Sequence, residues 1–509
     1  MPGVTKPKPK GSDARESAGP FWGPGRFLLV VALLVTVSAS LFVLRAQMQG
    51  LGRFAQAAAV LQIVQDEYVQ ETDADELSRA AISGMLNRLG DPNSVYIPPA
   101  VAEQFNRTVM GSDFVGIGVQ VQRRDGYVTI TSPMAGTPAA RAGVQPGDRI
   151  LAVDGVDTRE LDTEEVTGLI AGPRGEVVSL TLERGGEEIT VDIVRGEIRA
   201  ESVRGLRRID TEGAWSHALD GDYGIGYIRV SQFVSGTTAA TLASMERARS
   251  QLGGLNGLVL DLRHNPGGSI GESVGVADLF LDGGPVVRTE NRTGESVTLE
   301  ASPGVAFDGP VVVLIDEISA SGSEIVAGAL VERSTNARAV GTRTFGKASV
   351  QTVYGLPDGG TLKLTEAHYL LPSGRNLQRL PMGTPGATEW GVDPSPGMYV
   401  MLGDGGWDEL GQLFARLDAV GGDGANGGIP SEAWNSAATL LDAMGDAQLA
   451  AAHAALVGVL STGDWPRVGG DAATGERALR IEQLERTIER MDVERQRLER
   501  DLEQLREAS

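Results

Sequence analysis

Residues 257–268 read Gly257-Leu258-Val259-Leu260-Asp261-Leu262-Arg263-His264-Asn265-Pro266-Gly267-Gly268. Gly257–Leu262 is a short apolar run bounded by turn residues, the pattern of a buried strand. Asn265-Pro266-Gly267-Gly268 is a turn, because Pro and Gly interrupt regular structure. Upstream, Gly224–Val230 has the same strand character and Thr237–Ser250 reads as a helix. Strand, helix, strand and turn in this order indicate an α/β layered core, sustained over 197–400. In such cores the loops at the carboxyl ends of the strands build the site. The Asn265–Gly268 turn stands at such an end.

The flanking segments have other patterns. Residues 51–110 read mostly as helix, with one apolar stripe through Leu61, Val64 and Tyr68 and another through Leu77, Ile82, Met85 and Leu86. Gly90-Asp91-Pro92 closes the second helix. Residues 111–196 form a small β-rich domain. Its strands are predicted at Val119–Val121, Val128–Thr131, Ile150–Val153, Val177–Leu182 and Ile189–Ile193, and its helices at Pro138–Ala142 and Thr163–Ile170. Residues 401–472 are rich in Gly, Ala and Asp, with helix across Ser431–Leu460 and no legible function.

Composition narrows the chemistry. The chain has 509 residues, 45 Lys and Arg against 67 Asp and Glu, and a net charge of −22. So acidic a chain is a poor general nucleic-acid binder, since phosphate needs a basic surface. It has no Cys, which removes disulfides, thiol catalysis, thiolate metal sites and a lipoprotein anchor. His217, His264, His368 and His453 are not at ligand spacing, so no metal is expected.

The two ends carry addresses. Residues 1–26 form a basic tail, five Lys and Arg against two acids. Arg26 and Arg45 bracket Phe27–Leu44, which has no charge. As a helix this run spans about 27 Å, enough for one membrane crossing. The reading is a signal anchor over 27–44, with the tail cytoplasmic by the positive-inside rule and the rest periplasmic or extracellular. A cleaved signal peptide is the alternative. At the other end Ile481, Leu484, Ile488, Met491, Leu498, Leu502 and Leu505 alternate three and four apart. With Arg495 in the seam, 476–508 reads as a coiled coil that joins copies of the chain or an adaptor. A single solvated helix is the alternative.

Two further runs complete a pattern. They are Ile318-Ser319-Ala320-Ser321-Gly322-Ser323-Glu324-Ile325 and Thr344-Phe345-Gly346-Lys347-Ala348-Ser349-Val350-Gln351. Together with Val259–Gly268, in this order and spacing, the chain resembles the carboxy-terminal processing peptidases, serine proteases with a Ser–Lys dyad and an embedded PDZ domain. The resemblance covers about 51–400. It implies a protease core related to the crotonase-like fold with an inserted PDZ domain, and an endopeptidase needing no cofactor. It maps the nucleophile to Ser321, the general base to Lys347 and a supporting residue to Gln351. Oxyanion donors map to Gly267 and Gly322. Where relatives often carry Ala after the nucleophile this chain has Gly322, and its Ser-to-Lys interval of 26 is one longer than in many members.

The residues suit that chemistry. Ser321 precedes a helical stretch, Ser323–Val331, where unpaired N–H groups point outward. A hydroxyl needs a partner base, and lysine serves once burial lowers its pKa. Val340, Phe345, Val350 and Val353 offer apolar surroundings. On a strand Lys347, Ser349 and Gln351 share a face, so Gln351 can hold the lysine amine. Bland readings exist for each part: Ser319, Ser321 and Ser323 as helix caps, Lys347 as a surface residue, and the glycines as an ordinary turn. A histidine base, His264 or His368, is a rival, and a PDZ scaffold with a silent protease domain is another.

The PDZ resemblance lies in Val115-Gly116-Ile117-Gly118-Val119 and Gly143-Val144-Gln145-Pro146-Gly147-Asp148-Arg149-Ile150. It implies that Gly116, Ile117, Gly118 and Val119 offer backbone N–H groups to a terminal carboxylate, the peptide adding as a strand. The expected partners are proteins or peptides with accessible carboxyl termini. A PDZ acting only as spacer or lid is the alternative.

Overall fold

The computed structural model describes residues 55–471 apart from 103–112, 125, 135, 160, 200, 210–213, 381–388, 404–405 and 419–427. It also describes Ile488, Met491, Asp492 and Arg495, all helical. The basic tail, the expected anchor over 27–44 and the rest of the expected coiled coil lie outside the described residues. Among the described residues no helix is long and apolar enough to cross a membrane.

The chain divides into two units, Met1–Gly90 and Asp91–Ser509. The first holds a helix over 55–67 and a second over Ala74–Asn87, whose N-cap Asp73 accepts from the N–H groups of Asp75 and Glu76. The helical reading of 51–110 needs one correction. Past Asn87 the chain turns at Asp91–Ser94 and becomes a strand, Val95–Ile97, which pairs with Thr361–Lys363. That strand is three residues long and shows no period of its own, so only its partner reveals it.

In the second unit Ile225–Val230, Gly257–Asp261, Val311–Ile315 and Ala337–Gly341 lie side by side as a parallel sheet. Alternate side chains leave by opposite faces. Leu258, Leu260, Val311 and Val313 pack with Met245, Val276, Ile325 and Leu330 from the helices Thr237–Leu252, Ile270–Asp278 and Gly322–Arg333. Val259, Val312, Leu314 and Val340 pack on the other face with Leu410, Phe414, Leu449 and Leu456. These come from the helices Gly406–Asp418 and Ala447–Thr462. A strand apolar at every position requires cover on both sides. The 401–472 region is that second cover.

One buried ion cluster ties this layer to the quoted turn. The Arg263 guanidinium, wholly buried, donates to Asp261 at 2.6 and 2.9 Å and to Asp446, the N-cap of Ala447–Thr462, at 2.8 Å. A second sheet places Thr361–Leu370 at its centre, paired with Val95–Ile97, Gly284–Asn291 and Ser349–Gly355.

The β-rich insertion has its own six-stranded antiparallel sheet: Val119–Arg124, Tyr127–Pro133, Arg149–Val153, Val177–Arg184 and Glu187–Val194 in order, with Val156–Asp157 paired to Arg149–Val153. Val128, Ile130, Ile150, Leu180 and Ile193 form its separate core. Val119–Arg124 is an edge strand, and the helix Thr163–Ile170 packs beside it.

Candidate active site

The loops after Gly257–Asp261 and Val311–Ile315 are knitted together before any functional group is placed. Asn265 spans the gap with its carbonyl, which accepts from Ala320 N–H at 3.0 Å and Ser323 Oγ at 2.9 Å. Its side-chain amide donates to Val230 O at 2.9 Å. Ser319 Oγ donates to Leu262 O at 2.8 Å. Ser319 and Ser323 are therefore ties between loops, not solvent-facing caps.

Ser321 stands at the N-cap of Gly322–Arg333 with φ 55°, a conformation few non-glycine residues adopt. Such a backbone costs roughly 1–3 kcal/mol and persists only where its surroundings hold it. Glu324 and Tyr369 supply the hold. Ser321 N–H donates to Glu324 Oε2 at 2.8 Å, and the Tyr369 hydroxyl reaches Ser321 O at 3.1 Å. Both partners are fully buried.

Glu324 also holds the lysine loop. Its carboxylate accepts from Lys347 N–H at 2.9 Å, Gly346 N–H at 2.8 Å and Thr344 Oγ1 at 2.6 Å. Tyr369 donates as well to Lys347 O. Burial pushes the Glu324 carboxyl above its ordinary pKa, against the pull of these donors. Neither Glu324 nor Tyr369 was singled out from sequence. The Ser-x-x-Glu spacing of Ser321 and Glu324 is a capping-box signal that marks the first; no local signal marks Tyr369.

Lys347 is half-buried, and burial lowers its pKa from the ordinary lysine value. The neighbouring Lys363 lowers it further, while Glu324 and Asp91 oppose. The apolar surroundings expected from Phe345 and Val340 are not the cause. Phe345 is exposed, and Val340 faces the opposite layer of the sheet. Lys347 Nζ donates to Gln351 Oε1 at 2.9 Å. Gln351 Nε2 donates to Ser349 Oγ at 2.8 Å. The three residues meet as expected, although the strand begins only at Ser349 and has a bulge between Val350 and Gln351. No hydrogen bond joins Lys347 Nζ to Ser321 Oγ among the described residues.

The glycine turn approaches the serine closely. A Cβ on Gly267 would lie 2.7 Å from both Ala320 O and Ser321 Cβ. The expected donor role of Gly267 needs correction, because its N–H is spent on Asn265 Oδ1 at 2.8 Å. The N–H groups of Gly268 and Gly322 have no acceptor among the described residues.

Neither rival histidine reaches the serine. His264 has φ 58°, and its ring packs on Trp407 and Phe414, with centroids 5.7 and 5.8 Å away. His368 is exposed. Neither ring bonds Ser321.

In the insertion, Gly116, Ile117, Gly118 and Val119 lead into the edge strand. The carbonyls of Ile117 and Gly118 accept from Ala139 and Met134 N–H at 2.9 and 2.8 Å, while their own N–H groups have no acceptor among the described residues. Gly118 has φ 79°, and a Cβ there would sit 2.4 Å from Thr137 Cβ.

Comparison with known proteins agrees with this architecture. Residues 224–386 match Peptidase family S41, 129–184 match a PDZ domain and 41–99 match the N-terminal domain of the activating protease CtpB. A probable CtpA-like serine protease of Staphylococcus aureus is 34% identical over 357 residues, 69% of this chain and 68% of that protein. The carboxy-terminal processing protease CtpA of Bacillus subtilis is 34% identical over 355 residues, 69% of this chain and 72% of that protein. Among solved structures, a photosystem II D1 C-terminal processing protease aligns with TM-score 0.39 and 28% identity, covering 66% of this chain and 86% of that one. Identity sustained over this length, through both the layered core and the insertion, leaves one assignment: the chain belongs to the carboxy-terminal processing serine proteases of family S41, with an embedded PDZ domain.

Proposed function

We propose that this peptidase works through Ser321 and Lys347 by an acyl-enzyme. Neutral Lys347 takes the Ser321 Oγ proton as Oγ attacks the substrate carbonyl. The N–H groups of Gly322 and Gly268 receive the oxyanion, aided by the helix N-terminus behind Gly322. Lys347 then gives its proton to the departing amine, and water, activated by the same lysine, releases the acyl group. Gln351 keeps the amine in place between turnovers. The observation that carries this reading is the Glu324 carboxylate, which accepts from the backbone N–H of both Ser321 and Lys347.

The PDZ domain captures a substrate carboxyl terminus at Ile117 and Gly118, and the peptide adds to the edge strand Val119–Arg124. The uncharged run 27–44 anchors the chain in the cytoplasmic membrane, with the catalytic part outside the cytoplasm. Support for this is the basic tail ahead of that run. The heptad at 476–508 joins copies of the chain or an adaptor.

The test is cleavage of an unstructured protein with an apolar carboxyl terminus by the full chain in detergent. Ser321→Ala and Lys347→Ala are expected to abolish it. Cleavage that survives Lys347→Ala sinks the dyad and reopens the histidines.

A further inference from the structure

The Asp91–Ser94 turn lies far from Lys347 in sequence, and from sequence it reads only as a helix stop. The structure gives it another position. Antiparallel pairing of Val95 with Lys363 carries the turn alongside Thr365. There Ser94, buried, accepts from Thr365 N–H through its Oγ at 3.0 Å and donates to Asp91 Oδ2 at 2.6 Å. Asp91 is fixed in turn by Asn93, whose N–H donates to Oδ1 at 2.9 Å.

Thr365 faces Gln351 across the strand pair, and Gln351 Nε2 donates to Thr365 Oγ1 at 3.3 Å. The direction of each bond follows from what each group can do. A neutral lysine amine keeps its lone pair for the Ser321 proton and donates an N–H, so it takes the amide oxygen of Gln351. The amide nitrogen therefore faces the hydroxyls of Ser349 and Thr365. The Thr365 hydroxyl, already an acceptor, has one hydrogen left, and this hydroxyl helps to lower the pKa of the Asp91 carboxyl. From Lys347 to Thr365 every hydrogen points the same way, and polarised groups in such a chain reinforce one another.

We propose that Asp91, Ser94 and Thr365 are positioning residues for catalysis: they clamp Gln351 so that its oxygen, and no other atom, meets Lys347 Nζ. The inference rests on the reading of Lys347 as the general base. Thr365 is gripped on its main chain by Ser94, and Asp91 fixes Ser94 in turn. Without the clamp the Gln351 amide can turn over and present Nε2 to the lysine, occupying the lone pair the base needs. Asp91 has a second effect through its charge. The charged groups acting on Lys347 are Lys363, Glu324 and Asp91, and Asp91 raises the lysine pKa. Burial favours a neutral Asp91, but hydrogen bonds from Ser94, Thr365 and Asn93 outweigh it and hold the carboxyl below its ordinary range.

The experiment uses the full chain in detergent and the same unstructured substrate, with kcat and KM measured across pH. Thr365→Val is expected to lower kcat about tenfold with KM within about twofold, and Thr365→Ser to restore most of it. Asp91→Asn is expected to lower the plateau and shift the acidic limb to lower pH, because a lysine that loses a neighbouring anion deprotonates more easily. The limb position does not depend on how much enzyme is folded, so it reads the role even if a variant is less stable. Parental kcat in Thr365→Val, equal loss in Thr365→Ser, or an unmoved limb in Asp91→Asn overturns the proposal. Lys347→Ala run alongside separates the two ideas. Retained activity there defeats the Ser–Lys reading itself. An inactive Lys347→Ala beside parental Thr365→Val and Asp91→Asn defeats only the clamp.

Discussion

Ser321 and Lys347 donate their backbone N–H groups to the same oxygen, Glu324 Oε2, at 2.8 and 2.9 Å. The serine leads a helix and the lysine precedes a strand of the other sheet, so nothing local holds them together. The buried Glu324 carboxylate does, together with the Tyr369 hydroxyl, which reaches the main-chain oxygens of both. The other carboxylate oxygen accepts from Gly346 N–H and Thr344 Oγ1. Glu324→Gln turns one of these acceptors into a donor facing donors. The expected result is a kcat loss of about a hundredfold and a stability loss of about 1–3 kcal/mol. Turnover assays and urea denaturation measure the two. A parental kcat would mean the shared acceptor is not what aligns the loops.

Lys363 sits on Thr361–Leu370, in register with Val353 and two residues from Thr365. Its cation lowers the pKa of Lys347, second to burial. A base must be neutral, so activity rises as pH climbs through its pKa. Lys363→Met removes the neighbouring cation and is expected to shift the acidic limb to higher pH, the opposite of Asp91→Asn. Plateau activity should change little. A shift to lower pH would show that the sign of the field at Lys347 has been misread.

Stability has a pH dependence of its own at His217. This ring is fully buried, and burial lowers its pKa from 6.5 to about 4. Between those values the unfolded chain binds a proton that the folded chain does not. The contribution is therefore complete above 6.5 and lost as pH falls toward 4. At about 1.4 kcal/mol per unit it amounts to about 3 kcal/mol. Urea denaturation of His217→Leu at several pH values should show a flatter profile in this window than the parent. Parallel profiles would assign the acid sensitivity to other groups.

The layered core was legible because its strands are short and apolar and the helix Thr237–Leu252 between the first two is bounded by Gly236 and Gly253. Thr163–Ile170 in the insertion has the predicted bounds, because Asp162 and Glu165 form a capping box there. What was not legible came from contacts between distant segments. Val95–Ile97 has too few residues to show a period. The helix Gly406–Asp418 has a clear apolar stripe through Leu410, Leu413, Phe414 and Leu417, yet its destination is set by the sheet face it covers. Ser321 and Lys347 were found through motif resemblance. Glu324, which bonds both, and Thr365, which bonds Gln351, do so through hydrogen bonds that sequence order does not display. Gly267, the donor that the resemblance implies, has its N–H committed to Asn265 Oδ1, a bond that the motif does not display.

The insertion offers a separable test. Gly118 has φ 79° and no room for a side chain against Thr137. Gly118→Val is expected to weaken binding of a peptide with an apolar carboxyl terminus at least about tenfold, by strain in the loop that offers the N–H groups. Hydrolysis of a small activated ester, which needs no capture, should keep the parental rate. Unchanged peptide affinity would move the capture site away from this loop.

The most direct measurement is the rate at which a fluorophosphonate labels Ser321, followed by intact mass and peptide mapping from neutral to alkaline pH. The expected result is one label, on Ser321, with a rate that rises through a single ionisation below the ordinary lysine value and loses that rise in Lys347→Ala. A label on Ser319 or Ser323, or a pH dependence that survives Lys347→Ala, would contradict the Ser321–Lys347 mechanism.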